Sequence, residues 1–346
     1  PLNMGALGST GTSAGNAVAH DADVVIAIGT RLSDFPTMSW SAWQHPDVRF
    51  VAINVAELDA AKAAALPLVG DARETLLELH AALDARGWAG ASPARRERIA
   101  ALRAEWHEES TRVLHLASDT HVSQPEIIRL VNEAMDDDGI VVCAAGGLPG
   151  DMHKLWRPAT RGSYHMEYGN STMGYEIAGG MGVALAEPER RVHVMIGDGS
   201  YLMLANELLT ARQEGIGLTV VLLDNHGYRC IRNLSGACGA DNPFNDFRAR
   251  DPESGTFTGE VLPIDFAANA ASLGAAVFEA GSPTELEQAL RDARAVTDRP
   301  ALIVVETNPE PGVPAYDSWW DVPVAEVSGS ERVREARKRY EEDLRR

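Results

Sequence analysis

Val192-His193-Val194-Met195-Ile196-Gly197-Asp198-Gly199-Ser200 is an apolar run that ends in a glycine-flanked aspartate, and the run over 218–223 leads in the same way into Asp224-Asn225-His226-Gly227-Tyr228. Both runs have the β-branched, uninterrupted apolar character of strands buried on both faces. Between them, 202–214 carries a helical pattern. Asn225 stands 27 positions after Asp198, room for one helix and one strand. The two polar residues therefore leave the carboxyl ends of successive parallel strands, the rim where α/β proteins place ligands. An aspartate carboxylate and an asparagine side-chain carbonyl at one spot suit a hard cation such as Mg²⁺, which completes its octahedron with phosphate oxygens and water. Gly199 and Ser200, at the start of a helix, present backbone N–H groups to the same phosphates.

Outward from this stretch the alternation continues. A helix opens at Ser123 with Pro125 near its first turn, a strand follows over 140–143, and a Gly- and Ala-rich helix covers 174–186. Beyond Tyr228, the segments 266–273, 276–278, 285–295 and 301–305 keep strand and helix in turn, whereas 233–259 lacks periodicity and is expected to be a long loop. The fold class is α/β, a parallel sheet covered on both faces. This unit is expected over 118–327, with a C-terminal helix over 328–346 and a charged linker helix over 91–117. Toward the N-terminus, apolar runs at 23–29, 48–55 and 66–69 and a helix over 72–83 make only a half-sheet. Residues 1–90 thus read as the C-terminal part of a Rossmann-like domain whose beginning is expected upstream of Pro1. Gly5, Gly8 and Gly11 precede a strand, whereas a dinucleotide fingerprint follows one, so they read as loop.

Composition bounds the function. The 346 residues make about two domains at roughly 150 residues each. With Lys+Arg 31 against Asp+Glu 50, the net charge of -19 opposes nucleic-acid binding. No apolar stretch is long enough to span a bilayer, and three cysteines without a CxxC pair favour a reducing cytoplasm over a disulfide framework.

Gly-Asp-Gly-Ser at 197–200 followed at this interval by Asn225 resembles the cofactor motif of the thiamine diphosphate-dependent superfamily that includes acetolactate synthases, pyruvate decarboxylases and benzaldehyde lyases. The resemblance implies a parallel-sheet thiamine diphosphate-binding fold preceded by part of the superfamily's middle domain. It implies Mg²⁺ held by Asp198, the Asn225 side chain and the Gly227 carbonyl, and diphosphate held by Gly197, Gly199 and Ser200 with Gly147 and Leu148. Asn170-Ser171-Thr172-Met173-Gly174-Tyr175 is similar to the segment in which a bulky apolar residue bends the cofactor into a V. Met173 would be that wedge, with its own N–H and the Ser171 carbonyl on the aminopyrimidine. Further runs, 147–156, 164–169, 173–180 and 319–322, look like the branch that hydrolyses a carbon–carbon bond of a cyclic vicinal diketone in inositol catabolism.

For proton transfer the flanking candidates are His165, Glu167, His226 and Tyr228. Glu176, in the first turn of its helix, is explained by the helix dipole alone. Six residues beyond Asn225, where pyruvate decarboxylases carry an acid, this chain has Ile231. The superfamily takes a glutamate for the aminopyrimidine from an N-terminal domain, usually across a dimer interface, and residues 1–346 contain no counterpart. A homo-oligomer with that domain as partner is therefore expected. The alternatives are an acetolactate synthase-like carboligase and a non-catalytic cofactor-binding subunit.

Overall fold

The computed structural model describes residues 2–240, 243–308, 310–316 and 318–345. They form two units, Pro1–Thr111 with Pro314–Asp321, and Arg112–Val313 with Val322–Arg346.

In the first unit, β1 (Val24–Ile28), β2 (Arg49–Asn54) and β3 (Leu66–Val69) form a parallel sheet in that order, with Ala27 opposite Ala52 and Ile53 opposite Leu68. A helix unexpected from the sequence, Ser13–His20, precedes β1, and the Thr12 side chain caps it by accepting from the Gly15 N–H. Ala19, Ala27, Met38, Trp43 and Ala52 pack the core beside the sheet. The last part of this unit is the distant segment 314–321. The Tyr316 hydroxyl donates to Glu109 at 3.1 Å while its ring meets Trp106 edge-on at 5.0 Å. Trp320 packs on Phe35 at 4.7 Å and its indole N–H donates to Asp34. The division between the units falls inside the helix Pro93–Leu114, within the linker helix expected over 91–117, whereas 314–321, expected in the second domain, belongs to the first unit. Large aromatic rings gain most from burial, and these find their partners among Phe35 and Trp106.

The second unit holds seven parallel strands: β4 (Val122–Ser123), β5 (Ile140–Cys143), β6 (Tyr164–Met166), β7 (Val192–Gly197), β8 (Thr219–Asp224), β9 (Ala276–Ala280) and β10 (Ala301–Asn308). Their order is β4-β10-β8-β7-β5-β6, with β9 also paired to β10. Helices cover both faces, so the central strands are apolar along their length, with Val194, Ile196, Val220 and Leu222 all buried. The helix Gln124–Ala134 buries Ile127, Ile128, Leu130 and Val131 and is capped by the Ser123 hydroxyl. β4 and β6, short edge strands, escape the sequence pattern. The expected loop over 233–259 begins inside the helix Arg229–Ala237, where Ser235 and Gly236 disguise the helical period, and its described residues from 246 to 259 are irregular. Cys143, buried, and Cys230 and Cys238, half-buried, are all free thiols. Among the described residues no helix is long and apolar enough to cross a membrane.

Candidate cofactor site

β7 and β8 pair in register with Gly197 opposite Leu223, so Asp198 and Asn225 leave adjacent strands at one rim. Asp198 opens the helix Asp198–Leu204 and is buried. Its Oδ2 accepts the backbone N–H groups of Asn225 and Gly227, each at 3.0 Å, and its Oδ1 accepts that of Gly199 at 2.6 Å. Burial, then the neighbouring Asp224 carboxyl, push the Asp198 carboxyl well above its usual range; a bound cation reverses such a shift. The Asn225 Oδ1 is buried without a hydrogen-bond partner. An orphaned acceptor of this kind is costly unless something outside the chain satisfies it.

Gly227 is conformationally required. Its φ is 156°, and a Cβ there would lie 2.3 Å from the Asn245 carbonyl oxygen. Its own carbonyl accepts the Arg229 N–H at 3.0 Å, which leaves a second lone pair. At Gly199 the constraint is close approach, since a Cβ would stand 2.7 Å from the Tyr228 ring.

These strand ends open on a cavity of about 380 Å³, within the size range of small-molecule sites. From the end of β5 come Gly147 and Leu148, and from the turn before the helix Tyr175–Ala186 come Ser171 and Met173. The end of β7 supplies Gly197, Asp198, Gly199 and Ser200, and the end of β8 supplies Asn225, Gly227 and Tyr228. A Cβ at Gly146, Gly147 or Gly197 would meet nothing within 4 Å, so the backbone there borders open space. Met173 is 38% exposed at the cavity wall, which separates it from an ordinary core methionine. A wider depression of about 830 Å³ lies over Arg232, Asp246 and Arg248. Its Arg232 guanidinium is already engaged by the Asp246 carboxylate at 2.5 and 2.6 Å, so the smaller cavity is the better candidate.

Three of the four proton-transfer candidates do not line the cavity. His165 is exposed on the edge strand β6. The Glu167 carboxylate accepts the Thr172 N–H at 2.7 Å and the Asn170 N–H at 3.0 Å, which lower its pKa and shape the turn that carries Ser171. The His226 ring lies between Asp224, at 3.1 Å, and Glu306, at 3.3 Å. Tyr228 alone of the four is at the wall, its ring edge-on to Phe247 at 5.4 Å.

Sequence reasoning missed several residues. Asp151 and Gln124 line the cavity, with the Gln124 amide donating to Asp151 at 2.6 Å. Burial pushes the Asp151 carboxyl up to about 6 against the opposing pull of Lys154 and Gln124. Its position four residues after Gly147 on one helix was the available signal, because i and i+4 share a face. Arg229 also lines the cavity and keeps a buried Nε without a partner. Glu176 is buried rather than placed at a solvated helix end, a correction to the dipole explanation.

Two family models match the chain, the thiamine pyrophosphate enzyme C-terminal TPP binding domain over residues 144–305 and the thiamine pyrophosphate enzyme central domain over residues 1–79. The chain belongs to the thiamine pyrophosphate enzymes. The cavity lies largely within the match to the cofactor-binding domain of this thiamine pyrophosphate enzyme. Its curated relatives include the 3D-(3,5/4)-trihydroxycyclohexane-1,2-dione hydrolases of Clostridium botulinum, 40% identical over 97% of this chain and 55% of the relative, and of Clostridium perfringens, 38% identical over 99% and 57%. The chain thus spans little more than half the length of the relatives it matches. A thiamine diphosphate-dependent 4-hydroxybenzoylformate decarboxylase of Rhodococcus jostii shares the fold, with a TM-score of 0.64 at 19% identity over 85% of this chain and 50% of that one.

Proposed function

We propose that this thiamine pyrophosphate enzyme opens the ring of 3D-(3,5/4)-trihydroxycyclohexane-1,2-dione by carbon–carbon hydrolysis, giving an open-chain deoxyuronic acid in inositol breakdown in the cytoplasm. The observation that carries this reading is 40% identity to a hydrolase of that name over 97% of the chain.

The residues at the rim fit Mg²⁺, because the Asn225 Oδ1 is a buried hard oxygen without a partner and it stands beside the buried Asp198 carboxylate, whose oxygens keep lone pairs beyond the three N–H groups they accept. Asp198, Asn225 and the Gly227 carbonyl would hold the ion. The backbone at Gly147, Leu148, Gly197, Gly199 and Ser200 would hold the diphosphate. When bound, thiamine diphosphate would supply a nucleophilic carbon in a thiazolium ring that serves as the electron sink. Met173 would hold the two rings in their bent form, with the Ser171 carbonyl on the aminopyrimidine. Tyr228 would orient a substrate carbonyl or hydroxyl. Asp151, with its pKa raised toward neutrality, would hold or release the proton that ring opening and water attack require. The cavity favours these two over His165, Glu167 and His226. Ile231, at the cavity wall where pyruvate decarboxylases carry an acid, supports hydrolysis over simple decarboxylation.

The aminopyrimidine glutamate is proposed to come from outside residues 1–346, in a homo-oligomer. The test is a ring-opening assay with thiamine diphosphate and Mg²⁺, on the chain alone and with the N-terminal portion of the Clostridium botulinum hydrolase added in trans. The chain alone is expected to bind the cofactor weakly without turnover, and the added portion to restore ring opening. Bound cofactor with no ring opening in either arm refutes the hydrolase reading, and acetolactate formation from pyruvate would favour the carboligase instead.

A further inference from the structure

Glu176 is 1% exposed, a carboxylate buried beside a cavity that is to receive an anionic diphosphate. A side chain that served only the dipole of its helix would lie in solvent. Its oxygens instead accept donors from three separate segments. Oε1 accepts the Ser200 hydroxyl at 2.7 Å and, at the longer distance of 3.4 Å, the Ala145 N–H. Oε2 accepts the Gly174 N–H at 3.0 Å, and that N–H is shared with the Ser200 hydroxyl oxygen at 2.9 Å. Each segment carries residues of the cavity wall. Ala145 leads to Gly147, Gly174 follows Met173, and Ser200 ends the run that begins at Asp198.

The network also decides what Ser200 can offer. Its one hydroxyl proton goes to Glu176, so toward the cavity it presents its backbone N–H. Burial raises the Glu176 pKa, and the donors from Ser200, Glu176 itself, Ala145 and Gly174 oppose that rise. Glu176 thereby joins the wedge segment, through the Gly174 N–H, to the helix of Asp198, through the Ser200 hydroxyl.

We propose that Glu176 is a positioning residue that fixes the Met173 segment relative to the first turn of the Asp198 helix, so that both ends of one cofactor are held at the correct separation. The inference rests on the thiamine diphosphate reading of the cavity. It has a signature that general support of the fold lacks. Thiamine diphosphate spans both segments, whereas inorganic pyrophosphate engages only the helix side, so loss of the clamp weakens the first far more than the second.

The experiment is calorimetric titration of the full chain and its Glu176→Gln variant with thiamine diphosphate and, separately, with inorganic pyrophosphate, both in excess Mg²⁺. Gln keeps the volume of Glu but opposes an amide NH₂ to one of the donors. The variant is expected to lose at least about tenfold in thiamine diphosphate affinity and less than about threefold in pyrophosphate affinity. Ser200→Ala, which breaks the link from its other end, is expected to show the same imbalance, and the double variant to be no worse than Glu176→Gln. If Glu176→Gln fails to fold, the imbalance in Ser200→Ala decides. Unchanged thiamine diphosphate affinity, or equal loss for the two probes, overturns the inference while leaving the cofactor reading intact. Wild-type chain that binds neither probe overturns both.

Discussion

Asp151→Asn should make the protein more stable at neutral pH, although it removes an ionisable group from the cavity. The Asp151 carboxyl is raised to about 6, mainly by burial. A carboxyl whose pKa is higher in the folded than in the unfolded chain binds its proton more tightly when folded. Its contribution is fully present below the unfolded pKa, near 4, and is lost as pH rises through about 6. At 1.36 kcal/mol per pH unit, ionised Asp151 lowers stability by up to about 3 kcal/mol above that window. Asn is neutral throughout and keeps an acceptor for the Gln124 amide. Urea unfolding of the full chain from about pH 4 to pH 8, followed by circular dichroism with each unit's transition fitted separately, checks this. The variant and wild type should coincide near pH 4, with the variant ahead by up to about 3 kcal/mol at pH 7.5. A variant no more stable than wild type at pH 7.5 would refute the reasoning. Retention of so unfavourable a carboxylate is the pattern expected of a group kept for chemistry.

Asp198→Ala should weaken Mg²⁺-dependent binding of thiamine diphosphate by about a hundredfold or more, read by calorimetry, because it removes the only charge in the proposed ligand set. Met173→Ala should bind the cofactor within about threefold of wild type yet lose about a hundredfold in turnover when the complementing N-terminal portion is present, since a small misplacement of reacting atoms suffices. Gly227→Ala should cost roughly 2 kcal/mol or more and lower the melting temperature of the second unit, because its Cβ would press on the Asn245 carbonyl.

The rim of the second sheet was legible because chemistry and strand register coincide there. Gly197 pairs with Leu223, so a spacing read along the chain translates directly into neighbours in space. The proton-transfer candidates were less legible for a local reason. Spacing locates a residue along a loop, but the backbone decides where its side chain turns, and φ is 59° at His226 and 51° at Ser171. Glu176 was misread because its burial depends on Ser200, 24 residues later, and no periodicity encodes that contact. Asp151 lay within reach of helical geometry, through Gly147 four residues before it. In the first unit, the strands announced themselves by β-branched runs. The return of 314–321 did not, because only the fold shows Phe35 and Trp106 waiting for aromatic partners.

That return bears on how the protein is made. Residues up to Thr111 leave the ribosome without Tyr316 and Trp320, which complete their unit. At roughly 5–20 residues per second, synthesis through Asp321 lags behind Thr111 by tens of seconds, far longer than a small domain needs to fold. During that interval the Phe35 and Trp106 rings are bare apolar surface on a nascent chain, open to chaperones and to neighbouring polysomes. The second unit, nearly all of it contiguous in sequence, has most of its sheet translated before the first unit can close.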